Sequence, residues 1–179
     1  ARLATNGALE RNNNNQPVIK SGLVGIHNGI ITNDETLSQK FHLKRENEVD
    51  TEVFLGLVKF YLNQKKTMAE AISQTFSQIE GAASVALLFD NYPHLLLATN
   101  TGSLFYSQTS KFFVFASEGY ILERFLKNDK DKIFQLKPNN SLIFNLQNFT
   151  FEKFDFKNPP SIIASPPKTK YKIKDLSLY

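Results

Sequence analysis

The chain has 179 residues, 41% of them hydrophobic and 21% charged, with a formal net charge of +4 at pH 7. That is one domain's worth of chain with apolar residues enough for a full core, and no apolar run approaches the roughly 20 residues that span a bilayer. It contains no Cys, which excludes a disulfide, a thiolate metal site and a thiol nucleophile on this chain, and its three histidines, His27, His42 and His94, form no pair at helical ligand spacing, so no metal and no cofactor are expected.

The positive excess is small, and part of it lies in the tail as Lys168, Lys170, Lys172 and Lys174. A nucleic-acid surface needs a denser basic stripe interleaved with aromatics, so neither nucleic acid nor membrane is an expected partner. No basic-then-apolar signal segment opens the sequence, and the expected location is cytoplasmic. With 16 Phe and no Trp, the core is expected to be filled largely by Phe, Leu and Ile.

Residues 1–22 read as polar and irregular, with Ala1 to Gly7 as the end of a strand entering a turn, Asn12 to Asn15 as a loop, and Gln16-Pro17 as extended backbone. The run Leu23-Val24-Gly25-Ile26-His27-Asn28-Gly29-Ile30-Ile31 follows, a strand carrying an Asn-Gly pair. Thr32 to Glu35 predicts a capping box, with Leu37 and Phe41 on one face of the helix it starts. A charged stretch, His42 to Glu48, leads to Val49-Asp50-Thr51-Glu52, where Asp50 is a natural helix N-cap. Val53, Leu57, Phe60 and Tyr61 then follow a helical period, and Phe54, Leu55, Val58 and Leu62 widen the apolar face, which implies burial on more than one side. Thr67 and Glu70 predict a second capping box, with Gly81 as the terminator of that helix. The second half is strand-rich: Ala83 to Phe89 and His94 to Ala98 around a turn at Asp90 to Pro93, then Leu104 to Tyr106 and Phe112 to Ala116, whose near-continuous hydrophobicity predicts cover on both faces. Ser117 is a natural cap for a helix over 118–127 with Ile121, Leu122 and Phe125 inward. Ile133 to Leu136 and a hairpin, Leu142 to Leu146 with Phe149 to Phe154, complete the elements. Past Pro159-Pro160 the composition is that of a linker. Adjacent strands and paired helices make this an α+β layered sandwich, not a βαβ wind.

Three polar clusters sit at predicted strand or helix ends: Arg2 with Thr5-Asn6-Gly7, His27-Asn28-Gly29, and Asp50-Thr51-Glu52. Each has an ordinary reading by itself. Asn28-Gly29 is a common two-residue hairpin turn, although Ile30 and Ile31 make a short return strand; Asp50 caps a helix; Arg2 is a surface arginine.

Taken in order, the segments resemble the glutaminase domain of class II (N-terminal-nucleophile) glutamine amidotransferases, with the glucosamine-6-phosphate synthase type as the nearest likeness. The resemblance is carried by Arg2-Leu3-Ala4-Thr5-Asn6-Gly7, Val24-Gly25-Ile26-His27-Asn28-Gly29-Ile30-Ile31, Val49-Asp50-Thr51-Glu52-Val53, Glu80-Gly81-Ala82-Ala83, Thr101-Gly102-Ser103-Leu104 and Ala116-Ser117-Glu118. It implies a four-layer αββα sandwich over residues 1–157, incomplete at its N-terminus, with 158–179 as a Pro/Lys-rich linker. It further implies that Arg2 pairs with the α-carboxylate of L-glutamine, that Asp50 accepts from its α-ammonium, that Thr5 lines the pocket, and that Asn28 and the Gly29 N–H form an oxyanion hole. The implied partner is an acceptor domain or subunit that takes the ammonia, with an amino-sugar acceptor favoured by the Ile30-Ile31 flank alone. The family's nucleophile is an N-terminal Cys lying before the Arg2 segment; without one, the chain as given is expected to be inactive, and a non-catalytic glutamine-binding or interaction module is the competing reading. Leu3 and Asn6 also depart from the Trp or Tyr and the His that the family often carries.

Overall fold

A computed structural model describes residues 15–109, 112–126 and 132–158. The segments read as the Arg2 cluster and the tail linker therefore lie outside the described residues. Chain order is β1 (Val18–Lys20), β2 (Leu23–Ile31), α1 (Asp34–Lys40), α2 (Asp50–Asn63), α3 (Met68–Gln78), β3 (Gly81–Phe89), β4 (Tyr92–Thr99), β5 (Phe105–Gln108), β6 (Phe113–Ala116), α4 (Gly119–Leu126), β7 (Phe134–Gln135), β8 (Asn140–Asn145) and β9 (Phe151–Asp155). The strands form a six-stranded sheet, β1-β2-β3-β4-β8-β9, and a three-stranded sheet, β6-β5-β7. Every pairing is antiparallel.

The period-two alternation of the central strands sorts their side chains into two cores. Ala83, Val85, Leu87 and Phe89 of β3, with Leu96 and Ala98 of β4, join a core built with Leu37, Phe54, Leu55, Leu57, Val58, Ile72 and Phe76 of the first three helices. Their alternates Ala86 and Leu97, with Leu142 and Phe144 of β8, face the small sheet and bury Leu104, Tyr106 and Leu136. Helix α4 packs on the outer side, against β5 and β6. The layers are thus helix, sheet, sheet, helix, the α+β sandwich expected from the sequence. Helix α2 lies close on the large sheet at Gly25, where a Cβ would come within 2.7 Å of the Leu55 side chain.

The Thr67–Glu70 capping box forms in full. The one expected at Thr32 to Glu35 does not: α1 has no side-chain cap. Instead the Thr32 N–H donates to the Glu80 carbonyl, while the Asn33 carboxamide donates to Gln78 O and accepts from the Glu80 N–H, each at 2.9 Å. These side chains are used to tie the start of α1 to the α3–β3 connection. Gly81 opens β3 opposite Ile31 and does not end the helix, which stops at Gln78. Val18–Lys20 is a strand within the segment read as irregular.

Helix α4 begins at Gly119 and buries Leu122 and Leu126. Ile121 and Phe125, expected inward, are 42% and 63% exposed. Strand β6 is half-buried along its whole length, not covered on both faces. The two sheets are joined by Phe144 of β8 stacked on Phe113 of β6, with ring centroids 4.3 Å apart. Lys153 of β9 adds a cation–π contact, its ammonium 5.0 Å from the Tyr106 ring.

The burial pattern predicts a contrast in urea unfolding. Phe144→Ala should cost about 3–5 kcal/mol, because it empties the joint between the sheets. Ile121→Ala should stay within about 0.5 kcal/mol of the wild type.

Candidate functional site

The Asn28-Gly29 pair lies inside β2, which runs unbroken through Ile31 and pairs with β3 over all nine residues, so the hairpin-turn reading is set aside. Alternate residues of the strand separate. His27 and Ile31 are buried towards the helices, whereas Ile26, Asn28 and Ile30 are exposed on the other face. Ile26 and Asn28 line a cavity of about 190 Å³ between the sheets, together with Ser84, Ser103, Leu104, Phe115 and Ser117. The Thr101–Leu104 and Ala116–Glu118 segments therefore meet Asn28 at one place. A hydroxyl cluster supports its floor, with Ser84 Oγ 2.7 Å from Thr99 Oγ1, which also accepts the Gly102 N–H at 2.9 Å. The Asn28 carboxamide makes no hydrogen bond among the described residues, and as an amide it offers two donors.

The edge of β2 away from β3 is where the main chain becomes available. In an antiparallel strand every second residue turns its N–H and C=O to the same neighbour. Leu23 and Gly25 face β1, which ends there. His27, Gly29 and Ile31 continue the same edge with no strand partner among the described residues. Side chains cover two of the three. The Gln16 carboxamide donates through Nε2 to the His27 carbonyl and accepts the His27 N–H through Oε1 at 2.9 Å. Asp50 Oδ2 accepts the Ile31 N–H at 2.8 Å. Gly29 lies between them, its N–H and C=O without a hydrogen-bond partner among the described residues.

Gly29 also has a backbone that only glycine adopts readily. Its φ is +139°, and a Cβ would lie 2.0 Å from the Ala82 carbonyl oxygen. The pair of donors proposed from sequence, the Asn28 carboxamide and the Gly29 N–H, is thus held at one strand end, the first on the cavity face and the second in the plane of the sheet.

Asp50 is the first residue of α2, and the cap position is Val49, with no side-chain cap. The Asp50 carboxylate is only 5% exposed and bonds to main chain on two elements, Ile31 N–H through Oδ2 and Thr51 N–H through Oδ1 at 2.8 Å. Its reach across to β2 is what the N-cap expectation missed. Each carboxylate oxygen has a second lone pair, so the group keeps capacity for a further donor. Burial pushes the Asp50 carboxyl up, but the His27 ring and the N–H groups of Ile31 and Thr51 more than offset it, holding the acid below its ordinary value of 3.8. The buried His27 ring has Nδ1 at 3.4 Å from Thr51 Oγ1 and 3.6 Å from Asp50 Oδ1, and Nε2 at 3.4 Å from Ala82 O.

Glu52, grouped with Asp50 from the sequence, faces elsewhere. Its 1% exposed carboxylate takes the Lys20 ammonium at 2.6 Å and the N–H groups of Glu46 and Asn47. It fixes the charged loop that leads into α2. Arg2 and Thr5 fall outside the described residues. Gln16, which the sequence placed in extended backbone with no site role, is the residue it missed at this site; its partner lies eleven residues away and leaves no local pattern. Among the described residues no group of His, Asp and Glu could hold a metal ion, and no helix is long and apolar enough to cross a membrane.

Comparison with known proteins gives a family match over residues 1–124, to a family described as a glutamine amidotransferase domain. A glutamine–fructose-6-phosphate aminotransferase (isomerizing) of Zymomonas mobilis is 37% identical over 107 residues, covering 57% of this chain and 17% of that protein. The enzyme of the same name from Escherichia coli K12 is 34% identical over 93 residues, covering 50% of this chain and 15% of that protein. The chain therefore spans less than a fifth of the length of these curated relatives. Among solved structures, glutamine phosphoribosylpyrophosphate amidotransferase from B. subtilis, complexed with ADP and GMP, superposes with a TM-score of 0.65 at 21% identity. It covers 80% of this chain and 32% of that one, and at that identity it shows a shared fold.

Two outcomes follow for stability. Gly29→Ala should cost on the order of 1–3 kcal/mol or more in a denaturant melt, since the backbone must move off Ala82. Because the folded carboxyl of Asp50 titrates below its ordinary value of 3.8, its contribution is full above that pH and is lost as pH falls through the lower folded value. Asp50→Asn should therefore flatten the acid limb of stability measured below about pH 4, with the largest difference from wild type above it.

Proposed function

The chain belongs to the glutamine amidotransferase domain family, and from that premise we propose that it forms the glutamine-binding, ammonia-releasing site of a larger amidotransferase. The observation that carries the reading is the Gly29 main-chain position on the β2 edge, which with the neighbouring Asn28 carboxamide has no hydrogen-bond partner among the described residues and lies two residues from the N–H that anchors Asp50. Two strand residues span about 7 Å, the scale of an extended glutamine from its α-ammonium to its side-chain amide.

In this reading the α-ammonium takes the remaining acceptor capacity of Asp50, and the α-carboxylate pairs with the Arg2 guanidinium, with Thr5 lining the same pocket. A zwitterion between a buried carboxylate and a guanidinium satisfies both. The δ-carbonyl oxygen is directed to the Gly29 N–H and the Asn28 amide. A cysteine thiolate attacks the δ-carbon, and the carbonyl π electrons move to oxygen, where these donors hold the negative charge. Collapse re-forms the carbonyl and breaks the C–N bond, and the leaving nitrogen departs as ammonia after taking a proton. Water then cleaves the thioester to glutamate and restores the thiol. None of the 179 residues is a Cys, so this chain supplies the binding groups and the oxyanion donors, and the thiol comes from outside it. The acceptor is proposed to be a sugar phosphate, in line with the names of the relatives.

A second reading, a non-catalytic module that binds glutamine or a protein partner, applies where the full-length protein supplies no Cys ahead of Ala1. A diazo-ketone analogue of glutamine, applied to the full-length protein, separates the two. Covalent labelling of a Cys supports the enzyme. Glutamine binding without labelling supports the module, and neither binding nor labelling removes both. In the full-length protein, Asp50→Ala and Arg2→Ala should each weaken glutamine binding by about 2–5 kcal/mol in a calorimetric titration; unchanged affinity would take that residue out of the site.

A further inference from the structure

We propose that Gln16 is a positioning residue for the Gly29 donor, acting by covering the main-chain carbonyl beside it. The proposal rests on the reading of Gly29 as a donor to substrate. Along the open edge of β2 the groups follow in the order His27 N–H, His27 C=O, Gly29 N–H, Gly29 C=O and Ile31 N–H, as strand geometry requires. The Gly29 N–H is flanked by its own carbonyl and, on the N-terminal side, by the His27 carbonyl, whose dipole opposes negative charge at that donor. Gln16 removes it from play, with Nε2 donating to the His27 oxygen while Oε1 takes the His27 N–H. One side-chain amide thus imitates a strand residue for a single position and then stops.

Two further features fit this role. The carboxamide is neutral and carries both a donor and an acceptor, which no carboxylate or ammonium at this position could match. Gln16 also lines the cavity that Asn28 faces, so the same side chain limits the water that reaches the Asn28 donor. An oxyanion donor works through fixed geometry and a dry approach, and a solvated carbonyl next to it would reduce both.

The test uses the full-length protein with Gln16→Met, which keeps the reach and loses both hydrogen bonds, and Gln16→Glu, which keeps the acceptor and loses the donor. Glutamine hydrolysis is read as separate kcat and KM values, alongside the melting temperature and amide hydrogen exchange at His27. We expect Gln16→Met to lower kcat by about tenfold or more with KM within about twofold, the pattern of a contact that matters in the transition state. The His27 amide should exchange at least about tenfold faster in Gln16→Met and remain protected in Gln16→Glu, which nevertheless loses kcat. A lower melting temperature with kcat unchanged would assign Gln16 a structural role only and overturn the proposal, as would unchanged His27 exchange in Gln16→Met. Should Gln16→Met fail to fold, the kcat of Gln16→Glu decides. Absence of glutamine hydrolysis by the wild type would defeat the glutaminase reading instead, while His27 exchange still reports whether Gln16 covers the edge.

Discussion

The Asp50 carboxylate joins the helical layer to the sheet through two main-chain N–H groups, one on its own helix and one at the end of β2. A buried carboxylate is costly unless its lone pairs are satisfied, and here part of the satisfaction comes from the Ile31 N–H, which has no strand partner among the described residues. The bond to Ile31 therefore solves two problems, the desolvated acid and the orphan N–H. It also sets the position of the α2 N-terminus relative to Gly29. Without it the helix would be registered against β2 by apolar contacts and the longer contact of the His27 ring with Thr51, which are less particular about a shift of an ångström than a short hydrogen bond is.

Around that joint the molecule is ordered by two charge-consuming contacts and two cores. Glu52, one half-turn from Asp50, takes the neighbouring loop and Lys20 of β1, so α2 is pinned to both strands that flank the site. The large sheet carries apolar side chains on each face, one set against the helices and the other against the small sheet. The cavity beside Asn28 lies where the second set gives way to serine hydroxyls.

Much of this was readable in the chain, and what was not has one physical cause. The periodicity of Val53 to Leu62 placed α2, and the Thr67–Glu70 box formed as expected because both partners are three residues apart. Strands β3, β4, β8 and β9 followed from apolar runs with turn residues between them. The Asn28-Gly29 pair was ambiguous by itself and needed Arg2 and Asp50 to be read as part of a site. Thr32 and Asp50 were each expected to serve their own helix, and each bonds across to backbone that local sequence does not indicate, Glu80 for Thr32 and the end of β2 for Asp50, while Asn33 joins Thr32 in bonding to the Gln78–Glu80 connection. Gln16 belongs to the same class. For α4 the misjudgement was of facing: Ile121 and Phe125 are apolar, but only Leu122 and Leu126 lie on the side that meets β5 and β6.

The Gly29 position, without a hydrogen-bond partner among the described residues, has a consequence for association between chains. An exposed strand edge invites pairing with a foreign strand, and the invitation grows with the number of consecutive free positions. With Gln16 on one side and Asp50 on the other, this edge offers one residue's pair of groups among those described, too few to start an intermolecular ladder. Gln16 and Asp50 thus act as side-chain stoppers on this edge, interrupting the run of free main-chain groups that a neighbouring polypeptide would need.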